Sequence, residues 1–558
     1  ISLHMKTSLL LLFLTLLGTA YAQSPSFVWS AAAGGTNLDD GNSVATDANG
    51  NVFVTGYFQS PTITFGNTTL TNAGGFDFYI VKYDAAGNVL WAKSAGGAKD
   101  DIGNSLSTDQ NGNVFVTGLF YSNTITFGTT TLINAGINAD DIFIVKYDAN
   151  GNVSWAKREG NYYYEYGKSI ATDPNGDVIV TGCFSSDSIT FGNTTLMNTS
   201  SFSWDIFVTK YTANGILLWA KSIGGATGEF AGEVSTDASG NVYATGYFYS
   251  PTLVFGSTSV NNTLSNFSDI YLVKYDVNGT VKWAKGVGGA DEDFGNSITN
   301  DAAGNILVAG AFKSPSITFG STTLTNAGNS SYDVLVAKYD AMGNALWAKG
   351  SGGTGSEFCY GISTDVNGNV CATGCFYSQN ISFGIFSLTN ANTGLNESDI
   401  FLVNYDANGD EQWTTGIGGT DQDVAFGVDY DPVGNIAITG HFHSPTIVFG
   451  STTLTTSGGS VFTAKLGGTT GIDEAHGSSG ITISPNPFST HTTLQLSNPL
   501  NNAVFSIYNS AGQRILEILN ISGTRFSFSR EKLEAGIYFV RLEEDDKIIA
   551  MEKMIVME

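Results

Sequence analysis

Positive charge is scarce in this chain. Its 558 residues hold 24 Lys and Arg against 50 Asp and Glu, a formal net charge of −26. So acidic a surface repels phosphate backbones, which excludes nucleic acid as an expected partner. Charge of either sign is sparse, at 13% of residues, too little for a long helical protein; 12% aromatic content is too much for disorder. Proline occurs 10 times and cysteine 4 times. Histidine occurs 5 times, and only the last of the Trp-marked repeats described below holds any, His441 and His443. No Gly-x-Ser-x-Gly, His-Glu-x-x-His or phosphate loop is present, so no familiar hydrolase, metalloprotease or nucleotide motif supports catalysis.

Long apolar runs are missing as well, save one from Leu9 to Leu17, which is too short to span a bilayer. It follows Lys6 and precedes Ala20-Tyr21-Ala22, so residues 5–22 read as a secretory signal peptide, with Ile1–His4 ahead of the initiating Met5. No Cys follows the cleavage site, which argues against a lipoprotein anchor. The mature chain is expected to have no transmembrane segment.

What is abundant is a repeat. Trp29, Trp91, Trp155, Trp219, Trp283, Trp347 and Trp413 recur at steps of 62, 64, 64, 64, 64 and 66. Each period holds four short runs rich in β-branched and aromatic residues, joined by Asp-x-Asn-Gly turns or close variants, as at Asp47, Asp84 (Asp-Ala-Ala-Gly), Asp109 and Asp148. Each also has an extended excursion that bends at a Phe-Gly such as Phe127-Gly128. Four strands with short turns make one blade of a β-propeller. Strands of the "GNSVATD" type begin near seven positions from Gly41 to Gly427, whereas the last repeat stops at Leu466 without a Trp strand. The spare N-terminal strand around Trp29 is therefore expected to complete the seventh blade and remove the exposed edges. An open solenoid of the same repeats is the alternative. In the turns, Gly accepts positive φ and Asp caps the backbone; calcium binding is the competing reading, but a strand begins at once where further ligands would be needed.

The "D-x-x-G-N-x-[YF]-x-T-G" core over residues 23–466 resembles the SBBP family of β-propeller repeats, which implies a fold and no activity. After a small-residue linker at 467–480 the style changes. Residues 481–488, 503–515, 533–545 and 547–558 read as strands of a small Ig-like β-sandwich. With Pro485-Asn486-Pro487, Tyr508, Gly512, Leu533, Gly536-Ile537-Tyr538 and Lys553, residues 481–558 resemble the type A C-terminal sorting domain of type IX secretion. That resemblance implies a gram-negative cell, passage through the periplasm, and the type IX machinery and its sortase as partners. The protein would then be secreted or held at the cell surface.

The inter-blade loops carry Asp39, Asp40, Asp100, Asp101, Asp291, Asp293, Asp421 and Asp423, which a propeller would gather at one end of its channel. They are a candidate cation site, Ca²⁺ being the ion best suited to many oxygen ligands, or else a solvated acidic rim with no cofactor. His441 and His443 share one side of a strand, but other repeats place Tyr or Ala there. Cys359 would lie opposite Cys375 if Thr364 pairs with Val370, permitting a disulfide; a one-residue shift sets it against Gly374 and leaves the thiols free. The leading expectation is a non-enzymatic binding or adhesion protein for a glycan or another surface, with the tyrosine-rich loop Tyr162–Tyr166 available for stacking. The rival is an extracellular carbohydrate-active hydrolase or lyase using the loop carboxylates.

Overall fold

The computed structural model describes residues 24–557 apart from 137, 202, 265, 329, 393–396, 468–480, 510–513, 531–532, 534 and 545–546. The signal peptide and, but for Gly467, the linker lie outside the described residues. The chain divides into two compact units, residues 1–468 and 469–558.

The first unit consists of seven four-stranded antiparallel sheets, each with its own two-stranded hairpin. In the first blade the strands run outward as Asp39–Thr46, Val52–Phe58, Asp77–Tyr83 and Val89–Ala95. The Phe-Gly excursion is the hairpin Thr62–Phe65 with Thr68–Thr71. Valine, isoleucine, phenylalanine and tyrosine of the two central strands are buried on both faces, because every sheet is sandwiched between neighbours. The seventh blade takes its outermost strand, Phe27–Gly34, from the other end of the sequence, paired antiparallel with Ser460–Leu466. The propeller is thus closed as the Trp register predicts, and the open solenoid is excluded.

Three kinds of joint hold neighbouring blades together. Around the channel, a Thr hydroxyl near the end of the innermost strand donates to the equivalent carbonyl of the preceding blade: Thr108 to Thr46, Thr172 to Thr108, Thr236 to Thr172. At the seam Thr46 donates to Tyr430 O at 3.0 Å, and its N–H to Asp429 Oδ2 at 2.8 Å. At the outer rim the Trp of six blades, all but Trp413, lies on the next blade's outer turn; Trp29 Nε1–H donates to Ala85 O at 3.1 Å and the indole covers Gly87. Gly87 has φ 88°, and a Cβ there would come within 2.7 Å of that ring, so the turn admits only glycine.

The third joint is acidic. The first residue of every innermost strand is a fully buried Asp or Glu: Asp39, Asp101, Glu165, Glu229, Asp293, Glu357 and Asp423. Asp39 accepts from Gly35 N–H (2.9 Å), Gln59 N–H (3.0 Å), Ser60 N–H (3.0 Å) and Ser60 Oγ–H (2.7 Å). Equivalent serines, such as Ser122, Ser314 and Ser444, bind the carboxylates of other blades. In six joints a second buried Asp from the preceding blade faces this acid, as Asp77 faces Asp101 and Asp205 faces Glu229. At the seam Ser460 stands in its place.

Burial raises Asp101, Glu165, Asp293, Glu357 and Asp423 to about 7 and Glu229 to about 8, against the pull of the serine hydrogen bonds. Ordinary values are 3.8 for Asp and 4.5 for Glu.

In the second unit, strands His491–Asn509, Arg514–Ser529, Gly536–Glu544 and Lys547–Val556 form one sheet with Ile481–Ser484. The stretch 503–515, expected as one strand, is divided between two, and Arg514–Ser529 was not foreseen. A buried cluster that includes Phe488, Phe505, Ile507 and Met554 is its core.

Deleting Phe27–Gly34 is expected to lower the melting midpoint and cause aggregation through the bared edge of Ser460–Leu466. Trp29→Ala alone should cost on the order of 2–3 kcal/mol. An unchanged melting curve for the deletion contradicts the closed ring. The buried acids generate a second expectation. Folded protein keeps protons that the unfolded chain has released, so their stabilisation is complete below about pH 4 and lost as pH rises through about 7–8. Thermal unfolding should show a higher midpoint at pH 5 than at pH 8.5, with a shallower decline in Glu229→Gln. A higher midpoint at pH 8.5 contradicts the buried protonated joints.

Candidate functional site: an aromatic mouth of the central channel

Every innermost strand departs from its ladder at the same place. A β-bulge skips the fourth residue: Asn42, Asn104, Lys168, Asn296, Tyr360 and Phe426 in six blades, and Gly232 with Glu233 in the fourth. A bulge re-aims a side chain, and all these residues line one cavity of about 360 Å³ at the channel. A second cavity of about 270 Å³ continues between the innermost strands of all seven blades.

Comparison between blades separates scaffold from site. The opening acid, the Asp turn and the Trp on its glycine recur. The bulge residue is Asn bonded to the next blade in three blades and varies in the other four, and the second residue of the strand and its cross-strand partner vary throughout. These pairs run Asp40–Tyr57, Ile102–Leu119, Tyr166–Cys183, Phe230–Tyr247, Phe294–Ala311, Phe358–Cys375 and Val424–His441. Residues that vary within a repeated frame are free of its packing demands, and here they meet on one face.

Aromatic rings dominate that face from the third blade to the seventh. Trp204 lies 5.4 Å from Tyr166 and 6.4 Å from Phe230, between ring centroids. The belt continues through Tyr247 (5.1 Å), Phe294 (4.7 Å), Tyr332 (5.4 Å), Phe358 (5.0 Å), Tyr360 (5.9 Å) and Phe426 (5.3 Å). It ends at His441 (5.5 Å) and His443 (4.9 Å). Each ring from Tyr166 to Phe426 is half-buried, and three neighbouring pairs, Phe230–Tyr247, Phe294–Tyr332 and Phe358–Tyr360, are stacked. Asn42 and Asn104 instead donate to Gly103 O and Gly167 O of the following blades, so the first two blades present a polar sector.

The eight acidic residues expected to converge are engaged separately, in joints and in local contacts. Asp39, Asp101, Asp293 and Asp423 are the buried joints described above. Asp40 lies 2.6 Å from His441 Nδ1 and accepts from Tyr57 OH, tying the seam. Asp100 accepts from Phe76 N–H at 3.0 Å, Asp291 pairs with Lys313 at 3.3 Å, and Asp421 accepts from Gln422 N–H at 2.8 Å. Among the described residues no three His, Cys, Asp or Glu are grouped to hold a metal ion. At the strand start the carboxylates are enclosed and supplied with N–H and O–H donors. The Asp-x-x-Gly turns are equally occupied. Asp301 accepts from Ala303 N–H and Asn305 N–H, and its other oxygen meets Lys338 at 2.9 Å.

The Cys359–Cys375 bond is not formed. Thr364 does pair with Val370, but the bulge at Tyr360 shifts the register, so Cys359 opposes Gly374 and Phe358 opposes Cys375. All four cysteines are free and buried. Burial drives the Cys183 thiol up to about 11 and that of Cys375 to about 12. Of the tyrosine-rich loop, Tyr162, Tyr163 and Tyr164 are exposed, whereas Tyr166 belongs to the belt. The sequence reading overlooked most of the belt, Lys168 and Glu233; lining up the seven blades would have flagged them as departures from the repeat.

In the C-terminal unit, Asn486 Oδ1 accepts from Ile555 N–H at 2.8 Å and Pro485 O from Thr492 Oγ–H at 2.6 Å. Leu533 is buried, Gly536 begins a strand, and Tyr538 packs on the core opposite Met554. Lys553 is in register with Phe539. Gly512 lies outside the described residues.

Residues 482–557 match the family of the secretion system C-terminal sorting domain, and residues 15–57 and 90–119 match the beta-propeller repeat. An uncharacterized WD repeat-containing protein of Acanthamoeba polyphaga mimivirus is 27% identical over 511 residues, 76% of this chain and 36% of its own length. The regulatory protein FlaEY of Caulobacter vibrioides is 28% identical over 143 residues, 25% of this chain and 15% of its own. The chain therefore spans about a third, or less, of each of these relatives. Among solved structures, the Pan2 WD40 domain of Neurospora crassa is similar over 79% of this chain and 98% of its own, with 10% identity and a TM-score of 0.35. The chain carries SBBP-type β-propeller repeats and ends in a type IX secretion sorting domain, which directs it to the cell surface or the extracellular space.

Proposed function

We propose that the propeller is a non-enzymatic binding domain that holds a glycan at the mouth of its channel. The observation that carries this reading is the run of half-exposed rings from Tyr166 to Phe426, of which Tyr166, Phe230, Tyr247, Tyr360 and Phe426 line a cavity that also offers Asn, Lys and Glu. Aromatic faces stack on the C–H faces of sugar rings, and polar side chains beside them bind hydroxyls. Export supports it, because an extracellular protein meets polysaccharide. The loop carboxylates that a hydrolase or lyase would have used are engaged in joints and local hydrogen bonds, which weakens that alternative.

The test is a glycan array with the purified protein, followed by titration of the best binder. Tyr360→Ala and Phe426→Ala should each weaken binding roughly tenfold, about 1.4 kcal/mol. Replacing the exposed Tyr162, Tyr163 and Tyr164 together by Ala should leave affinity unchanged. Binding lost with the loop tyrosines but kept in both mouth variants would move the site elsewhere, and hydrolysis of the bound glycan would overturn the non-enzymatic reading.

A further inference from the structure

Around the channel the fifth residue of the innermost strand forms a second girdle. Ser43, Ser105, Ser169 and Ser297 each accept, through Oγ, the backbone N–H of the next blade, from Leu106, Ile170, Val234 and Ile362. The fourth blade breaks the series with Glu233. Its Oε2 takes over the serine's work, accepting from Ile298 N–H at 3.2 Å and from Ser297 Oγ–H. Serine would have sufficed for the girdle, as it does in four other blades. The longer side chain adds a second oxygen, Oε1, for which no hydrogen-bond partner is found among the described residues.

The surroundings of Glu233 differ from the other blades in the same sense. Its ladder is opened by two residues rather than one, between Ala231 and Val234. Its neighbour is Gly232, without a side chain to fill the mouth. The fifth residue of blades six and seven is Gly361 and Gly427, so the wall there is bare backbone beside the rings of Tyr360 and Phe426. Glu233 lines both the mouth cavity and the channel cavity behind it. Lys168, exposed at the bulge of the third blade, lines the same mouth and is near enough to favour the Glu233 carboxylate, although burial acts first and raises its pKa.

We propose that Glu233 is the specificity-determining residue of the mouth and that, with Lys168, it reads two adjacent hydroxyls of a neutral sugar unit seated against Tyr360 and Phe426. A carboxylate and an ammonium group lining one cavity offer it an acceptor and a donor, which neighbouring hydroxyls complement. The mouth holds one charge of each sign, so a cationic ligand would be repelled by Lys168 and an anionic one by Glu233. A half-buried Glu233 carboxylate left unpaired by a ligand without those hydroxyls would discriminate against it. The inference rests on the glycan-binding reading and deepens it.

The experiment uses the full protein and neutral oligosaccharides of gluco-, manno-, galacto- and xylo-configuration, with the deoxy or O-methyl derivative of the best binder. The decisive variant is Glu233→Ser, which restores the residue of the other blades and should keep the melting midpoint. It is expected to lower affinity roughly tenfold or more. Wild type should reject the deoxy sugar by a similar factor, and Glu233→Ser should bind parent and deoxy sugar alike. This last equality is a readout that a structural role would not move. If Glu233→Ser binds like wild type while Tyr360→Ala does not, the role of Glu233 is overturned and the aromatic mouth stands. If wild type binds none of the sugars, or binds one that neither variant affects, both the mouth and this inference fall.

Discussion

A ring of seven sheets exists only if the last meets the first, and every part of this propeller depends on that closure. The chain meets the constraint by lending its first strand, Phe27–Gly34, to the seventh blade. The seam then repeats the bonds found at other joints: Thr46 to Tyr430, and the Trp29 indole on the first blade's outer turn. One contact is particular to the seam, the Asp40–His441 pair. Another departure is Ser460, which replaces the second buried acid of the other joints and lowers the carboxylate load where the chain's two ends meet.

The joints also explain how a strongly acidic chain folds compactly. Much of its negative charge is not on the surface. Carboxyls at the joints are buried and drawn up in pKa, so that near neutrality many hold a proton and repel one another less. Turn aspartates such as Asp173 and Asp431 are buried as well, but each meets a buried lysine at 2.8 Å. Neutralisation by a proton at one end of the blade and by lysine at the other leaves the mouth with few strong charges.

Much of the architecture was legible in the sequence because it is periodic. The Trp spacing, the Asp-x-Asn-Gly turns and the missing last Trp strand were enough for seven blades and their closure. What escaped was set by register and environment. The bulge at the fourth residue has no signature in composition, being Asn, Lys, Gly, Tyr or Phe. Yet it decides that Cys359 misses Cys375 and that Tyr360 and Phe426 line the channel mouth. Burial was equally hidden: Asp39 and Asp40 are adjacent in sequence, but one is sealed by Ser60 and the other shared between Tyr57 and His441. The belt was invisible for a third reason, since Trp204, Tyr332 and Phe426 come from three blades and from different positions within them.

The central claim is that residues freed from the repeat's packing rules gather at the channel mouth to bind an extracellular glycan. Hydrogen–deuterium exchange of the protein with and without its best-binding glycan tests it most directly. Protection should be confined to segments around Tyr166, Trp204, Phe230, Tyr332, Tyr360 and Phe426, with the peripheral hairpins such as Thr62–Thr71 unchanged. Protection on those hairpins, with none at the mouth, would contradict the account.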